Sequence, residues 1–320
     1  MKQEVINKLV QAMELSPENI VLVQLWGGDS ARGEMHKFTR AIAAQGASPL
    51  EWQQERSVNL RLFEAADSRA FSEAFFKVLE PVDVILDLFA DPPSRLSGEY
   101  SDQAVQGYRN YMSRFSQWMR HVPKVIQLRL PTAAPECAQQ LEEAYDIDYI
   151  RLKEECRGLI CRLESAQELQ LKTGRDCILK FCVKGRRWYE DAGDGDLPCG
   201  EVYIAPVEQK TQGRVWFETL YLDGQKYEDV QLWIEDGRVL RGSEPHVQKF
   251  LEELPENGRI VCEFGIGMNP KVKGLCGEAF LDEKAADTFH IALGDNTMFG
   301  GCNEAPLHMD LVGKGVWETC

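Results

Sequence analysis

Histidine is scarce in this chain, which has only five in 320 residues. Long apolar stretches are absent too, because no segment approaches the ~18 consecutive apolar residues of a membrane-spanning helix. Positively charged residues are also few: the chain has 36 Lys and Arg but 51 Asp and Glu, which gives a net charge of −15. That charge repels nucleic-acid backbones and anionic membrane surfaces, so we expect neither nucleic acid nor membrane as a partner.

Cysteine is plentiful but lacks paired spacing. The ten cysteines form no Cys-x-x-Cys pair and no regular framework, and a chain of this size does not need disulfide staples. The N-terminal residues mix charged and apolar side chains at helical spacing, without the apolar core of a signal peptide. We therefore expect reduced thiols in a cytoplasmic protein. The sequence assigns no role to Cys320.

The first half of the chain alternates short apolar runs with segments of helical periodicity. This pattern is typical of a mostly parallel sheet covered by helices. Charged helical patterns follow from residue 136 to about residue 171. The apolar runs lie at 20–25, 82–89 and 122–130, and the helical patterns between them at 33–45, 68–80 and 101–119.

The character of the sequence changes after Gly174, where β-branched and aromatic residues become frequent. Segment 231–241 has the turn chemistry of a β-hairpin at Asp236-Gly237, and a helix is predicted over 244–254, ended by Pro255. This half predicts mostly antiparallel β-structure. We place the domain boundary near 172–176, which gives an α/β domain at 1–174 and a β-rich domain at 175–320. The fold class is α/β, or α+β overall.

Two of the five histidines fall in the last fifth of the chain, among acidic residues. In His308-x-Asp310 the two side chains would point to the same face of a strand, where one ion could bind both. His290 lies on another predicted strand, so the β-rich domain carries two imidazoles and a carboxylate, a set that holds Fe(II), Zn(II) or Co(II). Further carboxylates would allow a second ion, and Glu201 and Glu263 are the candidates.

A pair of ions roughly 3.5–4 Å apart can hold a water as hydroxide and polarise a scissile carbonyl at once. This ligand set therefore favours a hydrolase. The Gly265-x-Gly267 turn could cradle a phosphate, but no Walker lysine pattern follows it. A tight bend after a strand is the simpler interpretation of these glycines.

Five short motifs follow one another in this region. They are Glu201-Val after Leu-Pro-Cys-Gly, Glu263-Phe-Gly-Ile-Gly-Met-Asn-Pro, Leu281-Asp-Glu-Lys followed by His290-Ile-Ala-Leu-Gly, Phe299-Gly-Gly-Cys-Asn, and His308-Met-Asp310. In order and spacing, over about residues 195–312, they resemble the M29 metallopeptidases, the family of aminopeptidases T and S. The N-terminal half shares only the general α/β character.

The resemblance implies two cocatalytic divalent ions, Zn, Co or Mn, and the removal of N-terminal residues from peptides. It also implies a homodimer with the catalytic cleft between domains, and a peptide or small molecule as substrate. Glu283 would lie beside the site as general base, and Glu263 would bridge the ions. The metal ligands implied in this way are Glu201, Glu263, His290, His308 and Asp310.

The sequence departs from the family at one place near the metals. Members carry a tyrosine seven residues beyond the histidine of the His-x-Ala-Leu-Gly motif, and Thr297 stands there in this chain. A threonine hydroxyl is a poor substitute for a phenol as ligand or acid. Lys284 would orient a substrate carboxylate or pair with Glu283 or Asp282. Cys302 would be a soft ligand, a nucleophile or a small buried residue.

Two other functions stay open at this point. The same superfamily resemblance extends to iron-dependent dioxygenases that cleave dihydroxypyridine rings, with His290, His308 and Asp310 as a triad for a single Fe(II). Glu201 and Glu263 favour two metals and hence the hydrolase. A third function is a specialised metalloenzyme, or a protein in which the metal supports binding without turnover. The threonine at position 297 in place of tyrosine, and the short stretch of ten residues after Asp310, would both fit such a change.

Overall fold

The computed structural model describes residues 1–67, 70–91, 100–193 and 195–320. The chain divides into two units, Met1–Asp146 with Gly193–Pro198 and Ile147–Ala192 with Cys199–Cys320. The predicted boundary near residues 172–176 falls between two neighbouring strands of the second unit. Within the described ranges, none of the helices combines the length and the apolar character that a membrane span requires.

Helices and strands alternate in the first unit, and strands predominate in the second. The helices are α1 (Gln3–Ala12), α2 (Arg32–Ala44), α3 (Arg56–Ala65), α4 (Glu73–Lys77), α5 (Asp102–Met119), α6 (Ala138–Tyr145), α7 (Tyr149–Leu163), α8 (Pro245–Glu253) and α9 (Ala279–Asp282). The strands are β1 (Ile20–Trp26), β2 (Ser48–Gln54), β3 (Val84–Phe89), β4 (Lys124–Arg129), β5 (Glu168–Thr173), β6 (Cys177–Cys182), β7 (Trp188–Asp191), β8 (Asp196–Leu197), β9 (Glu201–Ile204), β10 (Gln212–Leu222), β11 (Gln225–Glu235), β12 (Arg238–Gly242), β13 (Val261–Gly267), β14 (Phe289–Gly294), β15 (His308–Gly313) and β16 (Val316–Thr319).

The sheet of the first unit is parallel and has the strand order β2-β1-β3-β4-β8. The runs of β1 and β3 are buried almost throughout, as aliphatic strands covered on both faces should be. Helix α1 shows how the cover forms, because Val5, Ile6, Leu9 and Val10 recur at helical spacing and are buried. The predicted mostly parallel sheet is confirmed.

A network of hydrogen-bonded polar side chains crosses the buried centre of this sheet. The Asp87 carboxylate on β3 accepts hydrogen bonds from Gln24 Nε2 at 2.5 Å and Trp26 Nε1 at 3.0 Å. Gln54 Nε2 in turn donates to Gln24 Oε1 at 3.1 Å and lies 3.3 Å from the Tyr111 hydroxyl. Burial outweighs these hydrogen bonds and raises the pKa of Asp87 to about 6.

The raised pKa makes Asp87 a source of pH-dependent stability. The ordinary value of 3.8 applies in the unfolded chain, so the stability that this group contributes falls as the pH rises from about 4 to about 6. We expect Asp87→Asn to stabilise the protein at pH 8 by up to roughly 3 kcal/mol and to have little effect near pH 4. Urea unfolding of both proteins at the two pH values measures this, and equal effects at both would refute it.

The second unit contains two antiparallel sheets, in the orders β12-β11-β10-β6-β5-β16 and β15-β14-β13-β9-β7. Their apolar faces meet where Phe181 contacts Phe264 and Phe217 contacts Phe289, with ring centroids 4.8 and 5.8 Å apart. The hairpin predicted at Asp236-Gly237 is present between β11 and β12, and α8 lies inside the range predicted for a helix. The prediction of mostly antiparallel structure is confirmed.

Two helical predictions require correction. The helical pattern from 136 to 171 gives α6 and α7 but ends at Leu163, and β5 follows, paired with β6 and β16. In β5 only Leu169 and Leu171 alternate with polar residues. This alternation is too short to indicate a strand directly after a long charged helix. In the pattern at 68–80 the helix is limited to Glu73–Lys77, while residues 68 and 69 lie outside the described residues.

Candidate metal centre

One face of the sheet β15-β14-β13-β9-β7 carries the predicted ligands. Residues opposite each other on paired strands share a face, and so do alternate residues of one strand. Glu263 and Asp310 both lie opposite Ala292, two residues beyond His290 on β14. Glu201 lies opposite Gly267, and His308 opposite Gly294. The pleat therefore turns Glu201, Glu263, His290, His308 and Asp310 to the same side of the sheet.

The side chains of Glu263, His290 and Asp310 converge most closely. Each offers one ligand atom, and these atoms lie within 4.8 Å of one another. Glu263 Oε1 is 3.0 Å from His290 Nε2, and its Oε2 is 3.5 Å from His308 Nε2. Glu263 is thus the carboxylate that reaches both imidazoles.

Gly265 makes room for this convergence. A Cβ atom on this residue would come within 1.9 Å of His290 Nε2, because the imidazole lies across the strand at that point. Gly267 is equally restricted, since its Cβ would meet the Ala285 carbonyl oxygen at 1.9 Å. Both glycines lie inside β13, so they serve close approach by neighbouring groups and not a phosphate-binding turn.

His308 is oriented by the main chain. Its Nδ1 is 2.8 Å from the carbonyl oxygen of Asp295, which can only accept a hydrogen bond, so Nδ1 is the donor. The Nε2 atom is left facing Asp310 Oδ1 and Glu263 Oε2, each at 3.5 Å. Such a contact from the second ring nitrogen is how metal-binding histidines are commonly fixed. The Cys262 thiol lies 3.7 Å from the same Nδ1.

A buried lysine occupies the other end of the carboxylate cluster. Lys284 Nζ lies 2.6 Å from Glu201 Oε1, 2.8 Å from Glu283 Oε1 and 3.6 Å from Asp191 Oδ2. The Glu283 side chain also neighbours Asp310, where it helps to lower the pKa of the Asp310 carboxyl. Lys284 therefore pairs with Glu283, as one of the two sequence alternatives held. Its partners also include Glu201, a candidate metal ligand.

The carboxyl groups of the cluster titrate differently from one another. Burial raises the pKa of Glu263, and it raises that of Glu283 well above the ordinary value despite the nearby Lys284 ammonium. Burial acts in the same direction on Asp310, but the hydrogen bond from His308 and the charges of both histidines outweigh it and lower the pKa to about 2. Asp310 is therefore the most persistently ionised of these three carboxylates.

Both imidazoles hold their protons strongly. Burial alone would lower the pKa of His290, but the hydrogen bond to Glu263 and the surrounding carboxylates raise it to about 9. Burial is likewise outweighed for His308, whose pKa the contacts with Asp310 and Cys262 raise to about 12. Protons thus compensate the negative charge at the positions where a cation would bind.

This donor set fits a divalent cation. Imidazole nitrogens and carboxylate oxygens are the ligands of Zn(II), Co(II), Mn(II) and Fe(II) sites. Glu201 Oε2 is buried without a hydrogen-bond partner among the described residues, which leaves a second carboxylate oxygen available on the same face. Five carboxyl groups gather here, three of them around the single lysine and two beside the imidazoles, so a cation that displaced the imidazole protons would be strongly favoured.

Thr297 and Cys302 lie in the loop between β14 and β15. The main-chain N–H and the hydroxyl of Thr297 both donate to Asp295 Oδ1, at 3.1 and 2.8 Å, and the residue is exposed. Cys302 is also exposed, so the interpretation as a small buried residue is wrong. Its main-chain N–H donates to Glu208 Oε1 at 2.6 Å, so a polar loop contact sets its position in place of apolar packing.

Three groups near the site were not identified from the sequence. Asp191 lies opposite Glu201 and 3.6 Å from Lys284 Nζ, and Cys262 Sγ lies 3.7 Å from His308 Nδ1. Both contacts depend on strand pairing, and no local pattern along β7 or β13 indicates them. Tyr203 follows Glu201 by two residues and so shares its face. Its ring lies 5.6 Å from that of Tyr189 and 5.6 Å from that of Phe299, which in turn contacts His308. A row of aromatic rings thus leads to the candidate ligands.

Comparisons with known proteins agree with this geometry. A sequence profile of the thermophilic metalloprotease family M29 matches residues 151–315, just over half of the chain. The structure of wild-type AmpT from Thermus thermophilus is similar with a TM-score of 0.68 and 17% identity, over 99% of this chain and 97% of that one.

A second solved structure has the same fold. The 2,5-dihydroxypyridine dioxygenase from Pseudomonas putida KT2440 is similar with a TM-score of 0.68 and 13% identity, over 100% of this chain and 94% of that one. No curated protein sequence matches the chain. At these identities the two structures show the fold alone, whereas the profile shows the family.

Proposed function

The chain belongs to the M29 thermophilic metalloprotease family, and from this premise we propose that it is a metal-dependent aminopeptidase, which hydrolyses the N-terminal bond of a peptide or a related small amide. The observation that carries the proposal is the convergence of Glu263, His290 and Asp310 within 4.8 Å, on the sheet face that also bears Glu201 and His308. Imidazole and carboxylate groups gathered in this way support a metal site that activates water for hydrolysis.

The residues divide into those that would hold the ion and those that would move protons. Glu263, His290, His308 and Asp310 would bind the ion, with Glu201 on the side of a second one. A bound divalent ion would polarise the scissile carbonyl and lower the pKa of a water molecule at the site. Glu283 neighbours Asp310, and its Oε1 lies 2.8 Å from Lys284 Nζ.

In this arrangement Glu283 acts as general base and then as general acid. It accepts the proton of the attacking water and delivers it to the leaving amine, while Lys284 and Asp310 fix its orientation. The aromatic row of Tyr189, Tyr203 and Phe299 would contact an apolar side chain of the substrate next to the ligands. Thr297 plays no part in this scheme, because its hydroxyl is engaged with Asp295.

The family resemblance also supports finer proposals. We propose two ions per chain, Zn, Co or Mn, a homodimer in solution, and a cytoplasmic location in line with ten free cysteines. A peptide or small molecule is the proposed partner, without nucleic acid or membrane. The acidic net charge supports those two exclusions.

The proposal is tested with metal-loaded protein and matched peptides. We expect hydrolysis of a peptide with a free amino terminus after loading with Zn, Co or Mn, and its loss after chelation. The same peptide with an acetylated amino terminus is the control, and an aminopeptidase should leave it intact. Equal cleavage of both peptides, or cleavage that survives chelation, would contradict the proposal.

A second candidate is an Fe(II) ring-cleaving dioxygenase. It is favoured by one observation, that His290, His308 and Asp310 share a face with His308 Nε2 only 3.5 Å from Asp310. Glu201 and Glu263 on the same face favour the hydrolase, because a 2-His-1-carboxylate iron centre does not need them. If the iron-loaded protein consumed dioxygen with a dihydroxypyridine and hydrolysed no peptide, the dioxygenase would be preferred to the hydrolase.

A further inference from the structure

Lys284 is held in the cluster by its main chain as well as by its side chain. The residue is 3% exposed, its N–H donates to the Leu281 carbonyl, and its own carbonyl accepts from Asn269 N–H at 2.7 Å. Asn269 Nδ2 also donates to the Cys199 carbonyl at 2.9 Å, two residues before Glu201. The ammonium group is therefore positioned by the fold and does not reach the carboxylates from a mobile surface side chain.

The ammonium divides the carboxylate cluster into two ends. Glu201, Glu283 and Asp191 lie around Lys284 Nζ, at 2.6, 2.8 and 3.6 Å. Glu263 and Asp310 form the other end, where the cationic partners are the imidazoles of His290 and His308. Protons on imidazoles can be displaced by a metal ion, whereas the Lys284 ammonium belongs to a buried side chain and is held by three carboxylates.

Glu201 has one oxygen on each side of this division. Its Oε1 accepts from Lys284, and its Oε2 lies 3.5 Å from His290 Nε2 without a hydrogen-bond partner among the described residues. An ion at Glu263, His290 and Asp310 can be bound without Glu201. An ion on the Glu201 side must share this carboxylate with an ammonium group only 2.6 Å from it, and the two cations repel each other.

We propose that Lys284 is a built-in cation that makes the two metal positions unequal, so that one divalent ion binds tightly at Glu263, His290 and Asp310 and a second binds weakly beside Glu201. The inference rests on the metal centre of the proposed function and adds to it the order and affinities of the two ions. Lys284 is thus a positioning residue, which fixes Glu201 and Glu283 while opposing the second ion.

The test is a titration of chelator-treated protein with Zn²⁺ alone, followed by calorimetry and by equilibrium dialysis with elemental analysis. For the wild type we expect two dissociation constants that differ roughly tenfold or more. Lys284→Met, which keeps the length of the side chain without its charge, should tighten the second ion by roughly tenfold or more. Lys284→Arg should retain the unequal affinities. Lys314→Met, at an exposed lysine between β15 and β16, is the matched control.

The outcomes separate this inference from the proposed function. Two ions of equal affinity in the wild type would overturn it, and so would an unchanged or lost second ion in Lys284→Met, even if the peptide is hydrolysed. Unequal binding relieved in Lys284→Met would support it, even if no peptide is cleaved. If Lys284→Met does not fold without metal, its refolding in Zn²⁺ with two tightly bound ions per chain is the supporting result, and one ion is the contrary one.

Discussion

Glu263→Gln is expected to remove the tightly bound divalent ion and to lower hydrolysis by roughly a thousandfold or more. Glu263 is buried, and its two oxygens face the Nε2 atoms of His290 and His308 at 3.0 and 3.5 Å. An amide keeps the volume of the side chain but offers one neutral oxygen in place of a carboxylate. Elemental analysis of metal per chain and peptide hydrolysis in excess Zn²⁺ measure the two effects.

The exposed Glu304 provides the control for this substitution. Glu304→Gln changes the same functional group in the loop that precedes His308, and it should leave metal content and turnover unchanged. Thermal unfolding of chelator-treated Glu263→Gln beside the wild type separates an effect on folding from an effect on metal binding, because the substitution also removes the carboxylate partner of His290. Wild-type metal content in Glu263→Gln would show that the ion binds elsewhere.

Glu283→Gln is expected to keep the ion and to lose turnover, with kcat lower by about 10²- to 10⁴-fold. The glutamine amide can still donate to Asp310 and accept from Lys284, so the two contacts that position residue 283 are preserved. It cannot accept a proton from water. Metal content measured beside kcat and KM separates the loss of a proton carrier from the loss of a ligand.

Two outcomes would remove Glu283 from the mechanism. Full turnover in Glu283→Gln would show that another group moves the proton. A loss of metal together with activity would show that Glu283 serves the ion and not the chemistry. Glu304→Gln again controls for the change of functional group.

The sequence predicted the ligand types of the centre better than their arrangement. His290, His308 and Asp310 stood out because histidine is rare and the His-x-Asp spacing puts both side chains on one face. That Glu201 lies opposite Gly267, and Glu263 and Asp310 on either side of Ala292, depends on strand register. Register follows from packing against the second sheet, which no local pattern contains.

Long-range charge pairing was the least accessible feature. Lys284 was expected to orient a substrate or to pair with a neighbour in sequence, yet one of its closest partners is Glu201, 83 positions away. Asp191 does not stand out in the sequence, because a single acidic residue at the end of a strand is usually solvated. Only the antiparallel pairing of β7 with β9 brings Asp191 opposite Glu201 and into the cluster.

The parallel sheet of the first unit shows the opposite case. Its strands β1 and β3 are short, continuous apolar runs, and these are visible in the sequence because both faces of each of the two strands are buried. β5 was missed for the complementary reason, since its only apolar residues, Leu169 and Leu171, follow a charged helix without a break in composition. A strand buried on both faces is thus easier to recognise in a sequence than a strand buried on one face.

The central claim is that this chain is a metal-dependent hydrolase, and metal content per chain tests it most directly. Protein purified without chelator, in aerobic and anaerobic samples, should contain one Zn, Co or Mn ion after dialysis and about two in excess metal. After the same dialysis the Glu263→Gln protein should contain no bound metal ion. A single oxygen-sensitive iron, or no bound metal after supplementation with Zn, Co, Mn or Fe, would contradict the account.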